Sequence, residues 1–241
     1  AVAPGTHHHY YDSRTGTWPW STKVRDNDGA PLGYDCIANG MAIAKNVLTV
    51  GAVEDVLDYG GPDSVRMASF SSWGPTDDGR IKPDICGNGW EVYSGISTSD
   101  TSYEYYYGTS MASPNVCGSL ALLQDYYRDH HYNLPLKAAT LKALAVHTAR
   151  EAGSAPGPDY GFGWGLLDSY AAYKLITLDL EDRLGLIEEF TLADGIPIDL
   201  YYECNGTATE LRATISWTDP PGTPAAPALD QGDPMLVNDL D

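Results

Sequence analysis

A run of small residues at positions 108–114, Gly-Thr-Ser-Met-Ala-Ser-Pro, separates a strand-like segment from a long helical one. The residues just before it, 103–107, are mostly tyrosine, which favours a strand. After the run, apolar residues recur at helical spacing, at Val116, Leu120, Leu123 and Tyr127. The pattern therefore predicts a strand followed by a helix over residues 110–129, with Ser110 in the first turn of that helix.

Other residues of the predicted helix suit a packed position. Gly118 and Ala121 are small enough to let another backbone approach the helix closely. Cys117 is predicted to face the core as a small buried apolar side chain. Pro114 falls in the first turn, where the N–H that proline lacks would have no helical partner.

A serine in the first turn of a helix is well placed for acyl transfer. The backbone N–H groups of that turn have no partner within the helix, and the helix dipole favours negative charge beside them. The transition state of acyl transfer carries an oxyanion, which needs such donors. Ser110 is therefore the candidate nucleophile, and its own backbone N–H is a candidate oxyanion donor.

The string around Ser110 resembles the nucleophile segment of the subtilases, the subtilisin-like serine proteases. Further blocks resemble other segments of that family and follow in its order: residues 44–52 (AKNVLTVGA), 70–84 (FSSWGPTDDGRIKPD) and 160–167 (YGFGWGLL). The resemblance covers roughly residues 36–175. It implies a subtilisin-like three-layer α/β fold with a mostly parallel sheet. It also implies a serine-type endopeptidase that hydrolyses peptide bonds through an acyl-enzyme at Ser110.

The other two members of the subtilase triad are not found before Ser110. The family order along the chain is Asp, His, Ser, and no Asp-Thr-Gly or Asp-Ser-Gly precedes Ser110. Gly5-Thr6-His7 echoes the histidine block of the family, but it lies too close to Ser110. We expect the catalytic Asp and His upstream of Ala1, in a longer protease whose C-terminal part is this chain. The chain by itself is then expected to be inactive, because a serine without its base is a poor nucleophile.

The resemblance leaves the oxyanion asparagine of the family open. In one alignment Thr6 stands at its position, and a hydroxyl is a shorter donor than an amide. In the other, the asparagine precedes Ala1 and residues 1–35 form an insertion loop, which their glycines and prolines favour. Thr109, which matches the family residue before the nucleophile, is expected to support the oxyanion hole from behind.

Strand and helix signals alternate up to residue 182. The predicted strands or short extended segments are residues 47–53, 65–71, 81–86 and 91–96. Two further helices are predicted, over residues 136–150 and 168–178. Asp168 is a suitable N-cap for the second of these. Strands that alternate with helices indicate an α/β fold with a parallel sheet.

From residue 183 the pattern changes to short apolar stretches between turn signals. Strands are predicted at residues 186–192, 196–202 and 211–217. Residues 211–222 and 236–241 resemble the β-sandwich domain appended to many large bacterial subtilases. We therefore predict two domains: the C-terminal portion of a catalytic domain at residues 1–182, and part of an antiparallel, jelly-roll-like β-domain at residues 183–241.

The acidic composition narrows the range of partners. A formal net charge of −19 argues against nucleic acid, because the phosphate backbone would be repelled. Protein or peptide substrates are expected instead. Carboxylates suit Ca²⁺, so structural calcium is compatible with the chain. No calcium-loop pattern is present, so no metal site is assigned, and the chemistry itself requires no cofactor.

The sequence carries no apolar run that is long enough to span a membrane. It also shows no signal peptide. The resemblance nevertheless implies an extracellular or cell-surface enzyme. Cys36, Cys86 and Cys204 are scattered along the chain, and their spacing does not reveal a disulfide pairing.

Two other functions compete with the protease. An α/β-hydrolase needs a histidine after its acidic residue, and the last histidine, His147, precedes both Asp159 and Asp168. That order fails within this chain. The second is a subtilase scaffold without a working triad that acts as a binding or adhesion module. It stays open, because only the serine of the triad is visible. Turnover of a denatured protein by the complete protein would distinguish a protease from such a binding module.

Tyrosine is frequent, with 17 residues in the chain, and several lie within residues 103–107. Such a cluster suits a wall of a substrate site. It equally suits packing within an insertion loop. The sequence leaves both open.

Overall fold

The computed structural model describes residues 8–9, 20–21, 37, 41–182, 184–193, 195–202, 206, 211–224, 232–238 and 240. The first two segments are short strands, β1 (His8–His9) and β2 (Trp20–Ser21), which pair antiparallel. Thr6, Cys36 and Cys204 lie outside the described residues, as does most of the predicted insertion loop at residues 1–35.

The core is built on two parallel strands, β3 (Val50–Val53) and β4 (Ile85–Asn88). Every residue of β3 is buried, as expected for a continuous apolar run in a parallel sheet. The far edge of β4 is also occupied, because the Cys86 N–H donates to the carbonyl of Gly165 at 2.8 Å. The α/β architecture that the sequence predicts is confirmed.

Residues 65–71 do not form the predicted strand. They lie along the free edge of β3, where Met67 makes an isolated antiparallel bridge with Val53. The Ala68 N–H donates to the Ala52 carbonyl at 3.0 Å, but the Ala52 N–H donates to the side-chain Oγ of Ser71. A side chain thus replaces the next backbone acceptor, and the ladder stops there.

Three helices complete this part of the chain: α1 (Thr109–His130), α2 (Ala138–His147) and α3 (Ser169–Asp182). α1 packs on β3 and β4 and also contacts α2 and α3. Its predicted apolar stripe is buried: Val116, Leu120, Leu123 and Tyr127. α3 begins as predicted after Asp168, whose carboxylate accepts the Ala171 N–H at 2.9 Å. α2 is shorter than the predicted 136–150.

Cys117 is exposed, so the prediction that it faces the core is wrong. It follows the buried Val116 by one residue, which turns its side chain about 100° away from the apolar stripe. Gly118 has no atom within 4 Å of the position that a Cβ would take. The close packing expected beside Gly118 is therefore not seen among the described residues.

An antiparallel hairpin precedes α1. Its strands are β5 (Val92–Gly95) and β6 (Tyr103–Tyr106), in a register that places Val92 opposite Tyr106. β6 confirms the predicted strand at residues 103–107. At the base of the hairpin, Trp90 stacks on Phe70 with ring centroids 5.9 Å apart, and Tyr107 meets Trp90 edge-on at 5.0 Å.

The described residues after α3 contain no helix and no strand, so the jelly-roll-like domain is not confirmed. The domain boundary stays a prediction, although α3 does end at Asp182. Asp219 fixes part of this segment to the core. Its buried carboxylate pairs with Lys45 and accepts the backbone N–H groups of Val237 and Asn238, each at 2.9 Å. Asn46 exchanges two further hydrogen bonds with the Asp219 backbone.

We expect Asp219→Ala to release the segment around residues 211–240 from the core. The substitution removes the carboxylate that Lys45 and two backbone N–H groups bond, and hydrogen bonds to charged groups are among the stronger ones. Limited proteolysis within residues 211–240 should be faster by about tenfold. Asp199→Ala is the matched control, because the Asp199 side chain is exposed. Equal cleavage rates in the two variants would show that Asp219 does not hold the segment.

The same contact gives a pH dependence. Burial by itself raises the pKa of Asp219. Hydrogen bonds from Lys45 and from the Val237 and Asn238 backbone lower the pKa by more, so it lies well below its usual value of 3.8. A carboxyl with a depressed pKa contributes stability above its unfolded pKa and loses it as the pH falls towards its folded pKa. Proteolysis of the segment should therefore accelerate below about pH 4 in the native chain but not in Asp219→Ala.

Candidate active site

Gly108 sets the start of α1 and so the position of Ser110. Its φ of 147° is a conformation that favours glycine. The Gly108 N–H donates to the Gly89 carbonyl at 2.8 Å, and the Gly108 carbonyl accepts the Met111 and Ala112 N–H groups. Ser110 is thus the second residue of α1, in the first turn as predicted, and it is exposed.

The Ser110 backbone N–H has the freedom that an oxyanion donor needs. Within the described part of the chain, no acceptor is bonded to the Ser110 N–H or Oγ. The first turn of α1 contains no acidic residue that would compete for this end of the helix. The basic residues Arg128 and His130 lie in the last turn instead. The dipole of α1 therefore favours negative charge at Ser110.

Thr109, the residue before Ser110, is completely buried. Its hydroxyl has no hydrogen-bond partner among the described residues. A buried hydroxyl without a partner costs about 1–3 kcal/mol, so this position favours a further group close by. Support of an oxyanion hole by Thr109 stays a prediction.

Two glycines of the β4 segment let the start of α1 lie against the sheet. A Cβ at Gly87 would stand 2.6 Å from Val116 Cγ2. A Cβ at Gly89 would stand 2.7 Å from both the Gly108 carbonyl oxygen and Ala52 Cβ. The sequence-based predictions do not include this pair. The signal was present, since glycine near the end of an apolar strand marks a close backbone approach.

We therefore expect Gly89→Ala to destabilise this chain by about 1–3 kcal/mol, because the new methyl group overlaps backbone and a buried side chain. Chemical denaturation measures the change. Gly118→Ala is the matched control in α1, where the space is open. It should be neutral or stabilise by about 0.5–1 kcal/mol, because alanine favours a helix over glycine. Equal stability of the two variants would contradict this role of Gly89.

A buried charge cluster lies at the other end of β4. Asp84 Oδ2 accepts Lys82 Nζ at 2.6 Å and the Thr49 N–H at 2.7 Å. Asp84 Oδ1 pairs with Lys142 Nζ of α2 at 2.7 Å. Burial lowers the pKa of Lys82 to about 8 against the opposing effect of Asp84. The cluster links the residues just before β3 and β4 to α2.

Neither His130 nor His147 is placed to act on Ser110 as a base. His130 Nδ1 lies 2.8 Å from the Tyr126 carbonyl near the end of α1, about 30 Å along the helix from Ser110. His147 Nδ1 lies 3.0 Å from Thr214 Oγ1, at the end of α2. Burial and the charge of Arg212 lower the pKa of His147, so it favours the neutral form.

Metal ligands are also not assembled in the residues that the structure covers. They contain no group of three or more His, Cys, Asp or Glu side chains that could hold an ion. Structural calcium therefore stays a prediction without a site.

A polar cavity of about 280 Å³ opens beyond the C-terminal ends of β3 and β4, with Asp55, Asn88 and Asn115 among its lining residues. α/β proteins commonly bind ligands at this edge of the sheet.

An exposed serine that begins a helix after a strand is typical of serine hydrolases. The family model Peptidase_S8, which describes the subtilase family, matches residues 16–165. The chain belongs to the subtilase family.

Known proteins of this kind resemble the chain over part of its length. C5a peptidase of Streptococcus pyogenes serotype M1 is 32% identical over 124 residues, which are 50% of this chain and 10% of that protein. Minor extracellular protease Vpr of Bacillus subtilis is 30% identical over 177 residues, 62% of this chain and 21% of that protein. The chain thus spans between a tenth and about a fifth of these relatives.

Among solved structures, the Clostridium perfringens CspB protease overlaps 60% of this chain and 29% of its own chain. The sequence identity is 23% and the TM-score is 0.49.

Proposed function

We propose that this chain carries the nucleophile of a serine endopeptidase of the subtilisin type. The observation that carries the proposal is the exposed Ser110 in the first turn of α1, inside the segment that matches the subtilase family. The free backbone N–H and the dipole of α1 support it, because both favour the charge that develops during acyl transfer.

In the proposed mechanism, Ser110 Oγ attacks the carbonyl carbon of a peptide bond. A histidine takes the proton of the hydroxyl, and the carbonyl oxygen becomes an oxyanion that accepts the Ser110 N–H. The intermediate then expels the amine, which receives that proton, and leaves an acyl-enzyme on Ser110. Water, deprotonated by the same histidine, hydrolyses the ester and restores the serine.

The histidine and its orienting aspartate are proposed to lie upstream of Ala1 in a longer protein. Two facts support this placement: His130 and His147 both bond groups other than Ser110, and the matched relatives are several times longer than the chain. Thr6, or an asparagine before Ala1, is the proposed second oxyanion donor, and Thr109 supports the hole from behind. The 241-residue chain by itself is accordingly proposed to be inactive.

The proposed substrates are proteins or peptides outside the cell or at its surface. The acidic net charge of −19 disfavours nucleic acid as a partner. In the part of the chain that the structure describes, no helix combines the length and the apolar character needed to cross a bilayer.

Turnover of a denatured protein by the complete protein tests this function against the alternative of an inactive scaffold that binds or adheres. If the protein is an endopeptidase, new peptide ends should accumulate to concentrations far above that of the enzyme. A fluorophosphonate should also stop their release. A complete protein that binds the denatured substrate without cleaving it would instead be the binding module.

A further inference from the structure

Four tyrosines of the β5–β6 hairpin are here called the tyrosine face: Tyr93, Tyr103 and Tyr105 on the strands, and Tyr107 directly after the end of β6. Tyr93 lies opposite Tyr105 in the register, with ring centroids 4.8 Å apart. Its ring also stacks on that of Tyr103 at 5.5 Å. Because side chains alternate along a strand, Tyr103 and Tyr105 point to the same side of β6.

The tyrosine face is open to solvent rather than packed into a core. Tyr93, Tyr103 and Tyr105 are each exposed by 57–59%, and Tyr107 by 49%. Its base is nevertheless fixed, because Tyr107 packs edge-on against Trp90 and donates its hydroxyl to Glu91 at 3.0 Å. Fixed and exposed aromatic rings bind partners at a low cost in conformational entropy.

The chain segment that carries the tyrosine face has charges of one sign only. Residues 83–127 contain no Lys, Arg or His, and their charged residues are all acidic: Asp84, Glu91, Asp100, Glu104 and Asp125. No salt bridge among the described residues neutralises the three carboxylates of the hairpin segment, at residues 91, 100 and 104. By the alternation of side chains along a strand, Glu91 lies on the side of Tyr93, whereas Glu104 lies on the opposite side of the hairpin. The faces of aromatic rings attract cations, and a nearby carboxylate such as that of Glu91 adds to the attraction.

The tyrosine face immediately precedes the candidate nucleophile along the chain. Only Gly108 and Thr109 separate Tyr107 from Ser110, and the Gly108–Gly89 hydrogen bond fixes this junction. From Tyr107 back to Tyr103 an extended strand covers about 13 Å, the length of about four residues of an extended peptide. A chain bound at Ser110 therefore has room to continue along the rings.

We propose that the tyrosine face binds an extended stretch of polypeptide substrate that carries lysine or arginine within a few residues of the scissile bond. The proposal rests on the endopeptidase function proposed above. The occupant follows from charge complementarity: the rings and the Glu91 carboxylate accept cationic side chains. A second copy of this chain, with its net charge of −19, would be repelled.

The test measures binding to the complete protein with Ser110→Ala, which holds the substrate without cleaving it. Two labelled extended peptides are compared by fluorescence anisotropy, one with alternating arginines and one with citrulline at those positions. Citrulline keeps the shape of arginine and removes the charge. We expect the arginine peptide to bind at least about tenfold more tightly, with a smaller difference at high salt. Equal binding of the two peptides would overturn the proposal.

Variants of the tyrosines test whether the tyrosine face causes the preference for the arginine peptide. Tyr93→Ser combined with Tyr105→Ser should lose most of the difference between the peptides. Tyr93→Phe combined with Tyr105→Phe should keep it, because the rings remain. Tyr132→Ser combined with Tyr201→Ser is the matched control, since both tyrosines are exposed and lie outside the hairpin. A preference that survives in the Tyr93/Tyr105 serine variant would overturn the proposal, as would an arginine preference lost in the phenylalanine variant.

A fluorophosphonate reaction on the complete protein with Ser110 intact separates this proposal from the proposed function. If Ser110 is labelled but the peptides bind equally, the endopeptidase stands and the substrate preference is wrong. If Ser110 is not labelled, the endopeptidase is wrong. The assignment of the tyrosine face to substrate then falls with it, even where the arginine preference persists.

Discussion

Replacing Ser110 with alanine in the complete protein is expected to lower kcat for peptide hydrolysis by about 10⁴-fold or more. Removal of the hydroxyl eliminates the only atom that can form the acyl-enzyme in the proposed mechanism. The backbone N–H at the start of α1 remains, so binding of substrate should change little. Hydrolysis of a chromogenic peptide and labelling by a fluorophosphonate probe measure the loss.

Ser119→Ala is the matched control for this experiment. Ser119 lies on the same helix, and its hydroxyl donates to the Asn115 carbonyl of the preceding turn at 3.0 Å. Its loss removes no group from the proposed chemistry, so hydrolysis and labelling should be retained. A Ser110→Ala protein that keeps comparable activity, or a Ser119→Ala protein that loses it, would place the nucleophile elsewhere.

Asp84→Ala should destabilise the chain by about 3–5 kcal/mol, because removing one partner of a buried ion pair leaves the other charge uncompensated. Lys82, with a side chain only 2% exposed, would lose its counter-ion, and Lys142 would lose the same carboxylate. The Thr49 N–H would also lose its acceptor at the start of the core. The free energy of unfolding, from denaturation of this chain, gives the measurement.

Asp125→Ala provides the comparison for a solvent-exposed ion pair. Asp125 bonds Arg128 at 2.7 Å on the outer face of α1, and its side chain is 61% exposed. Such a pair contributes about 0–1 kcal/mol, so its removal should change stability only slightly. If Asp84→Ala proved no more harmful than Asp125→Ala, the cluster would not be a main support of the scaffold.

The sequence predicted those features that depend on local pattern. Helical spacing identified the buried stripe of α1, and the small residues before it placed Ser110 in the first turn. The apolar run at residues 47–53 predicted the buried β3, and Asp168 was recognised as the cap of α3. In each case the backbone conformation and the burial depend on residues a few positions apart.

Features that depend on distant residues were missed or predicted wrongly. The prediction for Cys117 is wrong because Val116 and Leu120, on either side of it along α1, are the buried residues. The strand predicted at residues 65–71 gives way because Ser71 supplies a side-chain acceptor to β3. The Asp84 cluster and the fit of Gly89 against Gly108 also depend on tertiary contacts. No spacing along the chain reveals such contacts.

Chemical labelling followed by peptide mapping tests whether Ser110 is the nucleophile. The complete protein is treated with a fluorophosphonate, digested and examined by mass spectrometry for the modified residue. We expect a single adduct on the peptide that contains residues 108–114, located on Ser110 and absent after heat denaturation of the protein. An adduct on another serine, or no adduct on a folded complete protein, would contradict this role of Ser110.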